Sequence, residues 1–294
     1  MLRVADVCAG SGSLSAAVAA ELGGRVVSVS DTSGVARRVL AARYPEAVVC
    51  GDALSQDLSC ADVAVMGVPC QDLSWAGPGG GAAPGSGTRS ALIWPILERV
   101  VAAGTVDLVV AENVLGGRAV YDGAAGWLRC RGFSAVRVSV SAADAGAPHL
   151  RRRVFVVAVR GGELLRDVAS RPARRVPRPS RLLPTVTASA YTGPSRSGRS
   201  GGPNLQTAVA EGMHHAMGDS LDRWAVLTGR PVCAAVDFEG RLSAGFCEWM
   251  MGVPPCPALS RTARIRLAGN AAVPLQTRLA LRLAAKELLK GEVA

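Results

Sequence analysis

The sequence is short of lysine and histidine. Lys286 and Lys290 are its only lysines, so arginine carries nearly all the positive charge, and His149, His214 and His215 are its only histidines. Eight cysteines stand at 8, 50, 60, 70, 130, 233, 247 and 256, and no CxxC pair occurs among them. That scarcity of paired ligands argues against a zinc site, and no metal is expected. Scattered free thiols fit a reducing compartment better than a disulfide framework. No run of about 18 uncharged apolar residues exists, so no membrane-spanning helix is expected. The stretch Met1-Leu2-Arg3-Val4-Ala5-Asp6 enters a strand at once and lacks the basic and apolar regions of a signal peptide. The expected location is cytoplasmic.

What is present bounds the fold. A chain of 294 residues suits one large α/β domain and a small second one, and 49% hydrophobic residues suffice for a sizeable core. The formal charge of +10 favours a polyanionic partner. Enrichment of Arg, Ala, Gly and Val at the expense of Lys is also what a GC-rich genome produces, so the charge carries two readings.

Apolar runs and turn residues predict strands over 3–9, 26–30, 48–52, 62–67, 106–111, 133–141 and 153–159. Helices are predicted over 13–22, 34–43 and 90–103. Strands alternating with helices imply a doubly wound, mainly parallel sheet, the last two strands being close enough for an antiparallel hairpin. After Arg160 the texture changes. Residues 170–203 are dense in Pro, Arg, Ser and Gly and read as a boundary and loop region. A less regular stretch reaches about 260, and Gly269-Asn270 opens a final helix, 274–290.

Three clusters carry chemistry. The first is Asp6-Val7-Cys8-Ala9-Gly10-Ser11-Gly12-Ser13, a glycine turn between strand and helix. Such glycines are often steric. Here Asp31 ends the second strand, where a carboxylate can hold ribose hydroxyls, and Asp52 ends the third, within reach of an adenine amino group. The loop is neither a Walker A nor a full GxGxxG, so S-adenosylmethionine fits better than a dinucleotide. The second is Pro69-Cys70-Gln71-Asp72-Leu73-Ser74. It follows a buried strand, at the strand end where open α/β sheets place their ligands. Most buried cysteines are only small apolar residues, the expected state of Cys50, Cys60 and Cys130. Cys70 differs by its polar neighbours and by the glycine-rich segment 77–87, which reads as a connector or as a lid over substrate. The third is Glu112-Asn113-Val114 after another apolar run. Arg151, Arg152 and Arg153 precede the last strand, and alternation puts Arg151 and Arg153 on one side. His149 reads as structural.

In this order the motifs resemble those of the DNA cytosine-5 methyltransferases, of the phage-like and actinobacterial type. Residues 6–13 resemble motif I, Asp31 and Asp52 the acids of motifs II and III, and 69–77 the nucleophile motif. Residues 89–99 resemble the following helix, and Glu112-Asn113-Val114 matches closely. Residues 148–153 resemble Gln-x-Arg-x-Arg, with His149 in the glutamine place. Leu183-Pro184-Thr185-Val186-Thr187 and Gly269-Asn270 resemble motifs IX and X. The resemblance implies a Rossmann-like catalytic and cofactor-binding domain over 1–160. It implies a small target-recognition domain over 161–265, and a C-terminal segment, 266–294, that returns to the first.

The chemistry is consistent. Cytosine C5 is a poor nucleophile. A Cys70 thiolate adding to C6 makes C5 enamine-like and able to attack an electrophilic methyl group. Glu112 serves N3 as an acid, and an arginine fork can hold the O2 carbonyl, with Arg151 and Arg153 the catalytic candidates. Reaction on both faces of the ring requires the base to leave the duplex. The resemblance implies S-adenosyl-L-methionine as cofactor, yielding S-adenosyl-L-homocysteine. It would be held by Asp6, Cys8, Gly10, Gly12, Ser13, Asp31, Thr32, Asp52, Leu92 and Asn270. Double-stranded DNA would be met by Gln71, Ser74 and Arg89, and by Arg196 and Arg199 of the loop-rich stretch. A bacterial, nucleoid-associated monomer is expected, with a cognate restriction endonuclease as a candidate partner.

Cys8 stands where a phenylalanine often packs on the cofactor, Ser13 replaces a frequent glycine, and Thr32 takes the place of an adenine-stacking aromatic. These departures put cofactor affinity in doubt. The alternatives are an RNA cytosine-5 methyltransferase, although no Cys-Phe-Thr element like that of the tRNA-modifying branch is present, and a catalytically silent DNA-binding regulator. An amino-group methyltransferase is disfavoured by the missing Pro-Pro-aromatic motif. A thymidylate synthase-like enzyme is disfavoured by the second domain.

Overall fold

The computed structural model describes residues 1–73, 81–179, 181–195 and 203–290. The chain divides into two compact units. The first holds Met1–Val140, Arg152–Arg174 and the chain from Thr277 on; the second holds Ser141–Arg151 and Arg175–Gln276. This division differs from the expected one at 160 and 265. The chain enters the second unit already at Ser141, returns at Arg152 and leaves again at Arg175.

The first unit is built on a seven-stranded sheet in the order β3-β2-β1-β4-β5-β7-β6. Its strands are β1 (Arg3–Val7), β2 (Arg25–Ser30), β3 (Val48–Cys50), β4 (Val63–Met66), β5 (Leu108–Val114), β6 (Ser134–Ser141) and β7 (Arg152–Val159). β1 pairs in parallel with β2 and β4, and β4 with β5, whereas β7 runs antiparallel to β5. Every residue of β4 is buried, as is every residue of β7 from Val154 on. That unbroken apolar pattern marks a sheet covered on both faces.

The helices of this unit are α1 (Ser13–Leu22), α2 (Gly34–Arg43), α3 (Ile93–Ala103), α4 (Arg118–Arg129) and α5 (Arg166–Ser170). α3 buries Ile93, Ile96, Leu97 and Val100, and α4 buries Tyr121, Ala124, Ala125 and Leu128. Both sets follow the i, i+3, i+4, i+7 spacing of one helix face. They share a core with Ala5, Val7, Ala64, Met66, Val109, Ala111 and Val156, the residues of alternate register on the sheet. The predicted helix 90–103 begins instead as a 3₁₀ turn, Arg89–Leu92.

In the second unit lie α6 (Leu205–Ala210), α7 (Gly218–Thr228), α8 (Ala244–Met250) and α9 (Arg261–Asn270). The final helix α10 (Pro274–Lys290) starts there and continues into the first unit. There Arg278 and Arg282 of α10, with Arg171, ion-pair with the fully buried Glu21 of α1 at 2.6, 2.6 and 3.0 Å. Burial opposes ionisation of Glu21. Hydrogen bonds from the three arginines outweigh it and bring the carboxyl down to about 2.

The second unit is less irregular than its sequence suggests. Trp224, Phe246, Trp249, Met250 and Met251 form its core with Leu183, Val186 and Ala190, so part of the stretch read as loop is core. Phe246 stacks on Trp249 with ring centroids 5.8 Å apart, and Trp224 Nε1 donates to the Trp249 carbonyl at 2.9 Å. No helix among the described residues is long and apolar enough to cross a membrane.

Candidate active site

Sheet order places the site. The chain runs from β1 outward through β2 to β3, then reverses and runs through β4 to β5. The crevice at the carboxyl ends of β1 and β4 is therefore a topological switch point. The glycine loop leaves β1 there. Pro69-Cys70 lies just beyond β4, and Glu112 follows Ala111, the residue paired with Met66 on β4.

The Pro69-Cys70 loop is held by groups that sequence reasoning missed. Ser90, buried in the 3₁₀ turn, donates its hydroxyl to the Pro69 carbonyl at 2.7 Å and accepts the Asp72 amide at 3.3 Å, while Asp72 accepts the Ser90 amide at 3.0 Å. From the next strand, Asn113 Nδ2 donates to the Val68 carbonyl at 3.2 Å. Tyr121, fully buried, donates to the backbone carbonyl of Glu112 at 2.9 Å and accepts from Asn113. Burial raises the Tyr121 phenol, which keeps it a neutral donor. Cys70 is half-buried between these anchors. At the rim, exposed Arg89 donates to Gln71 Oε1 at 3.1 Å. Of the segment read as a lid, Ala82 is tied by its carbonyl to Trp94 Nε1 at 2.7 Å.

Glu112 and Arg153 meet across β5 and β7. Arg153 pairs with Val114 and Glu112 with Phe155, so the two side chains are diagonal neighbours on one face. Arg153 Nε lies 2.8 Å from Glu112 Oε1, and both side chains are largely buried. Arg151 differs. It precedes β7, so strand alternation does not govern it, and it belongs to the second unit. Its buried guanidinium donates to the carbonyls of Val186, Gly269 and Ala271 at 3.2, 3.1 and 2.8 Å. Arg151 thus joins three backbone segments of its own unit. His149 is buried beside it, with Nε2 3.0 Å from the Met250 carbonyl.

The glycine loop has two kinds of glycine. Gly10 has φ +55° and open space where a Cβ would stand, so it leaves room for a ligand. Gly12, at φ +70°, would put a Cβ 2.8 Å from the Tyr44 ring and 2.9 Å from Leu40, so it serves packing. Tyr44 donates to the Gly12 carbonyl at 2.7 Å and Arg43 to that of Ser11. Among the described residues Cys8 is the only non-glycine with positive φ, at 59°. Burial pushes its thiol up to about 12. Ser13 is buried and accepts a hydrogen bond from the Ser11 hydroxyl at 3.0 Å.

Asp31 accepts the Gly10 amide at 2.8 Å on one carboxylate oxygen and the Ser33 amide at 2.8 Å on the other, shaping the loop it faces. Asp52 accepts from the Leu54 amide and the Ser55 hydroxyl, both at 3.1 Å. Thr32 is exposed, Leu92 is half-buried against the first core, and Asn270 is exposed at the end of α9. Asp6 is the outlier. It is fully buried at the end of β1, and burial pushes its carboxyl up to about 7; Ser15, through its hydroxyl and amide, opposes the rise, and Asp31 adds to it. Ser74, Arg196 and Arg199 lie outside the described residues. Cys60 and Cys130, read as buried, are exposed. Among the described residues no group of His, Cys, Asp and Glu could hold a metal ion.

A family model described as C-5 cytosine-specific DNA methylase matches residues 2–193. Among solved structures, the Schizosaccharomyces pombe Dnmt2 methyltransferase aligns with a TM-score of 0.62 at 16% identity, covering 99% of each chain. A Dnmt2 mutant from Spodoptera frugiperda aligns at 0.59 and 16%, again over 99% of each. A putative DNA modification methyltransferase encoded within an Escherichia coli prophage aligns at 0.58 and 15%, over 96% of this chain and 98% of that one. At such identities the likeness is one of fold. No curated protein sequence matches.

Proposed function

The chain belongs to the C-5 cytosine-specific DNA methylase family, and on that premise we infer that it methylates C5 of cytosine in double-stranded DNA. The observation that carries this reading is the 2.8 Å contact of Arg153 with Glu112, on the strand next to the one that leads into Cys70.

Cys70 Sγ, as thiolate, adds to C6 of an extruded cytosine, and the C5–C6 π pair moves onto C5. Glu112 delivers a proton or hydrogen bond at N3, so the electrons displaced into the ring meet an acid. Arg153, whose Nε meets Glu112 and whose Nη1 donates to the Arg152 carbonyl at 2.8 Å, would offer Nη2 to the O2 carbonyl. S-adenosyl-L-methionine supplies the electrophilic methyl group. Loss of the C5 proton to base then restores the C5–C6 double bond and expels Cys70 as thiolate. The chain would hold the methyl donor with Asp6, Cys8, Gly10, Ser13, Asp31, Thr32, Asp52 and Leu92. Asp6, a buried carboxyl at the base of the glycine loop, is assigned to the cationic end of that molecule.

Gln71 and Arg89, joined by a hydrogen bond beside Cys70, are assigned to the DNA together with Ser74, which lies outside the described residues. The second unit is assigned to target recognition, with Arg196 and Arg199. The net charge of +10 supports a nucleic-acid partner.

The test is transfer of labelled methyl from S-adenosylmethionine to duplex DNA, to RNA and to free deoxycytidylate, with bisulfite mapping of the product. Label in DNA that disappears in Cys70→Ser supports the reading. Label in RNA alone replaces DNA with RNA as substrate, and label in none of the three overturns it.

A further inference from the structure

The backbone that leads into Cys70 is fixed one peptide plane at a time. Pro69 locks its own φ. The plane before it holds the Val68 carbonyl, which accepts Asn113 Nδ2 at 3.2 Å. The plane after it holds the Pro69 carbonyl and the Cys70 amide. Being rigid, this plane sets where the Cα of Cys70 lies. Its carbonyl accepts the Ser90 hydroxyl at 2.7 Å.

Ser90 also reaches past Cys70. The oxygen that donates to Pro69 accepts the Asp72 amide at 3.3 Å. A hydroxyl suits this place because one small atom both donates and accepts. Asp72 completes the clasp. Its Oδ2 accepts the Ser90 amide at 3.0 Å, and its carbonyl accepts the Gly81 amide at 3.3 Å. Inside this bracket the Cys70 carbonyl accepts the Leu73 amide at 3.1 Å and closes a turn.

The anchor itself is firm. Ser90 is fully buried in the 3₁₀ turn Arg89–Leu92, which runs directly into α3. Ile93, Ile96, Leu97 and Val100 of that helix lie in the first core. Both hydrogen bonds of the Ser90 hydroxyl go to the backbone on either side of Cys70-Gln71. Alanine would serve the packing alone but leave the Pro69 carbonyl and the Asp72 amide unmet. The hydroxyl is therefore spent on the position of Cys70, and a nucleophile is useful only when its attacking atom is held in line with its target.

We propose that Ser90 is a positioning residue for Cys70, with Asp72 as its clasp, and that the pair sets the thiol in line with C6 of the cytosine. The proposal rests on the reading of Cys70 as the nucleophile. Loss of the Ser90 hydroxyl slows covalent attack and leaves binding of nucleic acid and methyl donor as it was, because Ser90 is fully buried and touches neither.

The test follows a single turnover with S-adenosylmethionine on duplex DNA in which 5-fluorocytosine replaces cytosine. Cys70 Sγ adds to C6 and C5 takes the methyl group. The fluorine on C5 leaves no proton to remove, so the adduct persists. Its amplitude counts competent sites, and its rate constant reports alignment. In Ser90→Ala the expected result is full amplitude with a rate constant about 10²-fold lower. Dissociation constants for DNA and S-adenosylmethionine should match those of the wild type. Asp72→Asn keeps an acceptor for the Ser90 amide and should retain the wild-type rate constant. Asp72→Ala leaves the hydroxyl in place and should slow attack about tenfold, less than Ser90→Ala. A wild-type rate constant in Ser90→Ala would overturn the proposal. So would lost amplitude at an unchanged rate constant, the mark of a residue that only stabilises the fold. Should Ser90→Ala not fold, equal rate constants in the two Asp72 variants would overturn it. Absence of any adduct in the wild type would instead sink the reading of Cys70 as nucleophile, on which this inference rests.

Discussion

Asn113 holds Val68: its side-chain amide crosses from the end of β5 to the carbonyl that precedes Pro69-Cys70, at 3.2 Å. The residue beside Glu112 thus positions the backbone that leads into Cys70, and Tyr121 donates to the Glu112 carbonyl and accepts from Asn113. Replacing Asn113 by Leu keeps the volume and removes the donor. The expected result is a fall of about 10²-fold in kcat, the scale on which a displacement of about 1 Å acts, with S-adenosylmethionine affinity retained. Single-turnover kinetics and calorimetry check it. An unchanged kcat would mean that the Cys70 loop is set without Asn113.

Cys70→Ser is expected to abolish turnover while DNA binding survives, because a serine hydroxyl supplies far less anion at neutral pH. DNA containing 5-fluorocytosine should trap the wild type as a covalent adduct, and peptide mapping should find it at Cys70. An adduct on any other cysteine would falsify the assignment.

For Glu112→Gln the expected fall in kcat is about 10²–10⁴, as for loss of one general acid. Arg153→Ala should lower kcat as well, since it removes the group 2.8 Å from Glu112. The two losses should be far from additive, because each residue acts through the other. Additive effects in the double variant would mean that the pair does not work as a unit.

Arg151 is predicted to behave differently from Arg153. Arg151→Met leaves the carbonyls of Val186, Gly269 and Ala271 without their donor. The expected loss is about 2–5 kcal/mol of stability, read as a lowered melting temperature. Turnover per folded molecule, measured well below that temperature, should fall much less than in Arg153→Ala. Equal losses of turnover at normal stability would return Arg151 to the substrate.

The Asp6 carboxyl, raised to about 7 by burial, carries a proton in the fold at pH values where the unfolded chain has lost it. An unfolded aspartate ionises near ~3.9, so the stability from this group is complete below about pH 4 and is lost as pH rises through about 7. Denaturant unfolding of the wild type should therefore weaken over that window relative to Asp6→Asn, by a few kcal/mol at most. A difference that stays constant with pH would show that Asp6 is ionised throughout in the folded state.

The succession of strands and helices along the chain, the place of Cys70 just past a strand and the start of the last helix at Pro274 were legible in the sequence. All rest on local facts: apolar runs long enough to be buried strands, glycine turns after them, and a proline at a helix start. Glu112, expected to end its strand, lies inside β5, which runs on to Val114. Tertiary structure decided the rest. Ser90, Asn113 and Tyr121 matter through hydrogen bonds to residues far along the chain, which no local pattern announces. Arg151 looked like the partner of Arg153 because alternation holds inside a strand, but β7 begins at Arg152. Gly12 looked like a ligand-facing glycine until Tyr44 and Leu40 proved to fill the space beside it. The stretch after Arg174 looked like loop because Pro and Arg mask periodicity, yet Leu183 and Val186 enter a core whose other members arrive up to Val273. Sequence determines which chemistry the residues can perform. Only packing determines which of two similar side chains reaches the site and which holds the backbone, because that choice depends on partners brought together from distant parts of the chain.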